Sequence, residues 1–193
     1  MGAEMCYGGA MKQLLLAAAL AAAALPASAQ VFVNTEGNAH SCYMSTKAGN
    51  TGSLSAVRTC TEALSDPLTR ADKAATHVNR GVLLMRRGES DKAVLDYERA
   101  LELSPELTEA YINYSAALYY ERRDDEALAA INTALELGTD KEAEALFNRA
   151  LIYDRKEDAR RAYYDLKRAL ELKPGWDIAE DAISRYTVRR ASS

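Results

Sequence analysis

The feature that most constrains this chain is a period. The segment Val78 to Pro105, VNRGVLLMRRGESDKAVLDYERALELSP, aligns without a gap on Phe147 to Pro174, FNRALIYDRKEDARRAYYDLKRALELKP, at an offset of 69. Between them, Ile112 to Thr139, INYSAALYYERRDDEALAAINTALELGT, fits at an offset of 34 from the first. The period is 34, with one residue added in the turn before the third unit. Self-similarity at that spacing means stacked supersecondary units, none of which buries its apolar face alone.

Each unit reads as two helices. The first runs through the segment holding Asn79, Asn113 or Asn148 and ends in a charged turn; the second carries the shared Ala-Leu-Glu-Leu ending. Small residues recur where two helices must cross closely: Gly81, Ser115 and Ala150, with Ala93, Ala127 and Ala162 opposite. Larger residues fill around them: Leu84, Leu118 and Tyr153, then Tyr97, Ile131 and Leu166. Ala100, Ala134 and Ala169 close each unit on the next. Only four prolines occur in 193 residues, and alanine and leucine are abundant, which favours helices over strands.

This pattern of small and large residues resembles the tetratricopeptide repeat family in units 74–107, 108–142 and 143–176. The proline that usually follows the second helix is present as Pro105 and Pro174 and is replaced by Thr139 in the middle unit; the family's tryptophan in the first helix is absent from all three. The chain as a whole is similar to small secreted members of the family from Gram-negative bacteria. The resemblance implies an all-α solenoid of helix-turn-helix units: three full repeats, an N-terminal half-repeat and a C-terminal capping helix.

Charges fit helix ends. Arg86/Arg87, Arg122/Arg123 and Arg155/Lys156 close the first helices, and Glu89/Asp91, Asp124/Asp125 and Glu157/Asp158 open the second, complementing the helix dipoles. Asp66-Pro67, Ser104-Pro105 and Thr139-x-x-Glu142 read as helix starts, the last as a capping box.

The ends of the array are read separately. Met11 to Gln30, MKQLLLAAALAAAALPASAQ, has a lysine, a short apolar run, Pro26 and the small residues Ala27-Ser28-Ala29, the pattern of a secretory signal cut after Ala29, with Met11 as the expected true start. Removing residues 1–29 takes away Lys12 and Glu4, so the net charge stays at −4. A mildly acidic chain without a basic tract argues against nucleic acid and against electrostatic membrane docking, and no membrane insertion is expected after cleavage. At the other end, residues 177–193 form a capping helix and tail, with Trp176, Ile178 or Ala179, Ile183 and Tyr186 at helical spacing. Trp176 reads as part of the cap or as a binding anchor.

Cys42 and Cys60 remain after cleavage, in a chain that leaves the reducing cytosol, and such cysteines are usually paired. Ala56 to Leu64, AVRTCTEAL, mirrors Ala93 to Leu101, AVLDYERAL, at an offset of 37, so Cys60 falls where Tyr97 sits. Residues 54–73 are then a half-repeat helix and linker, and residues 30–53 a disulfide-tied loop in place of the missing first helix. Across 18 residues the pairing contributes about 3 kcal/mol in the loop-entropy model.

Little in the chain does chemistry. There is no Gly-rich phosphate loop and no HExxH motif, and His77 reads as a partly exposed helical side chain. His40, Cys42 and Cys60 supply at most three metal ligands without a second short-spaced pair, so no metal or cofactor is expected. Binding is the better reading. In the family the first helices line a concave face that holds a peptide or protein segment. By that resemblance the lining is Asn79, Val82, Met85 and Arg86; Asn113, Ala116, Tyr119 and Tyr120; Asn148, Leu151, Asp154 and Arg155. The recurring asparagine either brackets a ligand backbone with its amide, which donates and accepts, or is simply common at this place in the family. The two-lysine clamp by which some members hold a C-terminal carboxylate is absent.

Three roles follow: a non-enzymatic periplasmic adaptor that binds a protein or peptide segment, a structural or self-associating envelope subunit, and, remotely, a small metalloprotein centred on His40, Cys42 and Cys60. Partner identity and oligomeric state are open. The first test is chemical. A mass measurement of the mature protein under non-reducing conditions should find no free thiol, and two titratable thiols would contradict the pairing.

Overall fold

The computed structural model describes residues 31–33, 37–49 and 52–188, together with the backbone of residues 5–7. The expected signal segment, residues 1–29, otherwise lies outside the described residues. The fold is an all-α helical repeat. Nine helices are described: α1 (Asn38–Lys47), α2 (Leu54–Ala63), α3 (Arg70–Arg86), α4 (Ser90–Leu103), α5 (Thr108–Tyr120), α6 (Asp124–Leu137), α7 (Glu142–Arg155), α8 (Ala159–Leu172) and α9 (Asp177–Ser184). One short antiparallel pair accompanies them, β1 (Met5–Tyr7) with β2 (Tyr186–Val188), in the register Cys6 opposite Thr187. The chain divides into two compact units, residues 27–140 and residues 141–193 with 1–26.

In the unit of residues 27–140, α1 and α2, α3 and α4, and α5 and α6 pair as consecutive hairpins. In the α3–α4 hairpin a small residue on one helix meets a large one on the other. Gly81 faces the fully buried ring of Tyr97, and a Cβ at Gly81 would lie 2.5 Å from Tyr97 Cε1. In the next hairpin Ser115, Leu118, Ala127, Ile131 and Ala134 are all fully buried. The turn between helices needs a left-handed residue, which is Gly88 (φ 77°) in one hairpin and Arg122 (φ 62°) in the next. Helix ends are satisfied locally: Thr69 Oγ1 accepts from Asp72 N at the start of α3, and Arg70 donates to the carbonyls of Leu103 (2.7 Å) and Glu102 (3.1 Å) at the end of α4.

The other unit repeats the scheme in α7 and α8. Ala150, Ile152, Ala162, Leu166 and Ala169 form its buried seam, and Glu157 (φ 62°) takes the left-handed turn position. Asp158 caps α8 by accepting from Arg161 N. Helix α9 packs on α8 through Ala179 and Ala182. Trp176 rests on Phe147 with ring centroids 5.0 Å apart, and the Lys173 ammonium lies 4.4 Å from the Trp176 centroid. In this structure Trp176 is engaged within the cap.

Four sequence expectations are corrected. Residues 30–53 are not a loop throughout: α1 occupies Asn38–Lys47, so the N-terminal half-repeat has its first helix. Only Ala39, Cys42 and Thr46 of that helix are buried, all small, which is why no apolar stripe announced it. The C-terminal segment is not one helix, because α9 stops at Ser184 and the chain becomes extended at Tyr186–Val188. The Thr139-x-x-Glu142 signal places the helix start too early; Lys141 takes the cap position and Glu142 is the first helical residue. Ser104-Pro105 precedes α5 by a turn, and the helix starts at Thr108.

Cys42 on α1 and Cys60 on α2 are joined by a disulfide with a Cα–Cα distance of 4.8 Å, in a buried cluster with Ala56 and Leu83. The seam predicts that Gly81→Val costs about 1–3 kcal/mol by overpacking against the Tyr97 ring. Chemical denaturation measures this, and an unchanged midpoint would contradict the packing described.

Candidate functional site

The lining expected from the sequence lies on the first helix of each repeat, at spacings that place its residues on one side. On α3, Asn79 and Val82 are fully buried, while Met85 and Arg86 are half-buried. What buries Asn79 is the chain's own N-terminal segment. Val31 N donates to Asn79 Oδ1 (3.2 Å), and Asn79 Nδ2 donates to Val31 O (2.8 Å). Arg86 donates to Thr46 O at the end of α1 (2.8 Å), and burial pushes its guanidinium below the ordinary value. The first part of the expected lining is therefore occupied in cis.

On α5, Asn113 (5% exposed) and Ala116 are buried and Tyr119 and Tyr120 are half-buried. The two rings meet edge to face, 5.9 Å apart. Burial, with the neighbouring Tyr119 second, pushes the Tyr120 phenol up to about 12. Helices α3 and α5 touch within this unit.

In the 141–193 unit, α7 carries Asn148, Leu151, Asp154 and Arg155. Asn148 is 7% exposed, and its Oδ1 has no hydrogen-bond partner among the described residues. Leu151 and Arg155 are half-buried, and Asp154 accepts a hydrogen bond from the Tyr186 hydroxyl of β2.

Sequence reasoning missed two arrangements. His77 is not an exposed side chain. It is 8% exposed and its Nδ1 lies 2.9 Å from Asp96 Oδ1, while Arg80 holds both Asp96 oxygens at 2.7 and 2.8 Å and reaches Thr61 Oγ1 at 3.1 Å. A buried carboxylate needs such partners. The signal was available, because Arg80 and Asp96 recur as Arg149 and Asp165 at the offset of 69, and that pair is bidentate as well (2.7 and 2.8 Å). The other is the Val31 contact; its trace was the apolar Val-Phe-Val run inside an otherwise polar segment.

The disulfide engages both thiols that a metal site with His40 would need, and His40 is exposed, its ring 6.2 Å from that of Tyr43. Among the described residues no cluster of metal-ligating side chains is found, and no helix is long and apolar enough to cross a membrane.

Models of the tetratricopeptide repeat match residues 74–107 and residues 143–175. No curated protein sequence matches the chain. Solved structures are similar in fold. The crystal structure of MamA shares 22% identity over 74% of this chain and 80% of its own, with a TM-score of 0.61. YrrB, described as a tetratricopeptide repeat protein with an unusual peptide-binding site, shares 23% over 75% and 71%, with a TM-score of 0.62. The first repeat domain of Spaghetti (RPAP3), bound to the HSP90 peptide SRMEEVD, shares 21% over 60% and 90%, with a TM-score of 0.57.

The raised Tyr120 phenol gives a pH signature. Folding lifts its pKa above 10.0, so the neutral phenol's contribution to stability is complete below that pH and is lost as the pH rises towards 12. The difference between ultraviolet titrations of the wild type and Tyr120→Phe should show a phenol titrating near 12, and a titration at 10.0 would contradict its burial.

Proposed function

We propose that this chain, a member of the tetratricopeptide repeat family, is a protein–protein interaction module that holds an extended peptide or protein segment against asparagine-bearing first helices within one of its units. The observation that carries this reading is the state of the recurring asparagines. Asn79 brackets an extended backbone with its amide, donating and accepting at once, and Asn148 keeps a buried carbonyl oxygen with no partner among the described residues. A buried amide oxygen without a donor costs about 1–3 kcal/mol, a penalty that a ligand's backbone N–H would remove. YrrB and the RPAP3 domain are described with a peptide-binding site and a bound peptide respectively, and that precedent supports the same class of partner here.

Within residues 27–140 the contact surface we propose is Asn113, Ala116, Tyr119 and Tyr120 on α5. The edge-to-face tyrosines, both half-buried, offer apolar ring surface, which suits a reversible contact. The role is non-enzymatic. The buried histidine, His77, is engaged with Asp96 rather than presented to a substrate. We place the protein in the periplasm after removal of residues 1–29, a reading supported by the signal-like segment Met11–Gln30 and by a disulfide that an oxidising compartment maintains.

Affinity capture from an envelope extract tests the binding face. Asn113→Ala and Tyr119→Ala should each reduce the captured partner about tenfold, the weight of an interface anchor, with the melting temperature unchanged. Capture and melting temperature falling together would sink the reading.

A further inference from the structure

We infer that the site at Asn79 is a peptide-backbone subsite whose resting occupant is the chain's own strap, Val31–Val33, and that it accepts in the strap's place a second extended segment with an apolar β-branched residue two positions beyond the one paired to Asn79. This rests on the proposed role of the first-helix asparagines and adds which ligand the first of them takes and what guards it.

The strap is read in two ways. Its backbone is read at Val31, whose N–H and C=O both engage the Asn79 amide. A side chain is read at Val33, which is fully buried against Ala39 of α1, Ala63 of α2 and Ala75 of α3. Phe32 between them points away, 62% exposed, its ring edge-on to Tyr43 at 5.4 Å. One bracketed residue and one small apolar pocket, with the intervening side chain outside, is a low sequence demand that a foreign extended segment can meet.

The site does not need the strap to exist. Its walls are three helices, and the outermost, α1, is fixed to α2 by the Cys42–Cys60 disulfide and to α3 by the bond from Arg86 to Thr46 O. The strap itself belongs to no helix or sheet. Asn148, at the matching register of α7, has no such occupant for its Oδ1 among the described residues, so the repeat does not require this asparagine to be bracketed by its own chain. The strap lies only a few residues before α1 in the sequence, and so close a covalent tie keeps it at an effective concentration on the order of millimolar. A segment supplied in trans competes against that, and its apparent affinity is scaled by the fraction of molecules in which the strap is out.

The test uses the full chain and a fluorescein-labelled peptide of residues 30–36, QVFVNTE, titrated by fluorescence anisotropy. Two variants release the strap by different means. Val33→Asp puts a charge into the alanine pocket. Val31→Pro, at a half-buried position, removes the N–H that Asn79 accepts. Both should bind the peptide at least about tenfold more tightly than the wild type. Adding Asn79→Ala to either should return binding to the weak wild-type level. Equal binding by wild type and variants would overturn the inference. So would absent binding in a strap variant whose circular dichroism melt shows the helices intact; should Val33→Asp unfold, Val31→Pro decides. Asn113→Ala losing partner capture while Val31→Pro takes no peptide would overturn this inference and leave the proposed function standing.

Discussion

The contact between a small residue on one helix and a large side chain on its neighbour carries the rest of the molecule. Gly81 admits the Tyr97 ring at a distance no Cβ permits, and that approach closes the α3–α4 hairpin. Closure fixes which side of α3 faces away from α4, and so where Asn79, Val82 and Arg86 stand. At the corresponding positions of the other two repeats, Ser115 and Ile131 and then Ala150 and Leu166 are buried in the same small-and-large pattern. At the N-terminal hairpin the large partner is missing. Cys60 occupies the place of Tyr97, and the contact with the facing helix is covalent, through Cys42. A helix as short as α1, with three small buried residues, has little apolar area of its own to bury. The disulfide does for it what the ring does elsewhere.

Much of the remaining polar bonding serves the ends of each unit. In residues 27–140 the strap and α1 lie on α3 through Asn79 and Arg86, and Arg87 holds the carbonyl of Gly52 in the connection between α1 and α2 (3.0 Å). In the 141–193 unit, Tyr186 bonds to Asp154, and Trp176 covers Phe147. Contacts of this kind cover a repeat face on which no other repeat stacks. Those at Asn79, Arg86 and Asp154 fall on residues of the proposed lining, so capping and the proposed recognition share helix faces.

The repeat architecture was legible because its signal is a spacing of sizes, and size is written in residue type. The pairing of Cys42 with Cys60 was legible for a similar reason, since a half-repeat aligned on the next placed Cys60 at an inward position. What was not legible depended on partners distant in sequence. Asp96 is enclosed by Arg80 and His77 of another helix, and the trace of this in the sequence is the recurrence of the Arg80 and Asp96 pair as Arg149 and Asp165. The α1 helix carried no apolar periodicity because Ala39, Cys42 and Thr46 are all its buried surface. For Asn79 the sequence left two readings open, a bracketed ligand backbone or a repeat habit; in the structure its amide brackets the chain's own Val31, 48 residues away in a segment with no regular structure. Helix starts were misplaced by a few residues with and without a side-chain cap: Asp66-Pro67 precedes Thr69 at the start of α3, and Leu107 and Lys141 take the cap positions of α5 and α7.

The account turns on whether an asparagine of this series holds an extended backbone. Amide hydrogen exchange at Val31 reads that contact directly. In the wild type the Val31 amide should exchange orders of magnitude more slowly than in an unstructured chain, and Asn79→Ala should remove that protection while the amides of α3 keep theirs. Free-chain exchange at Val31 in the wild type would contradict the account.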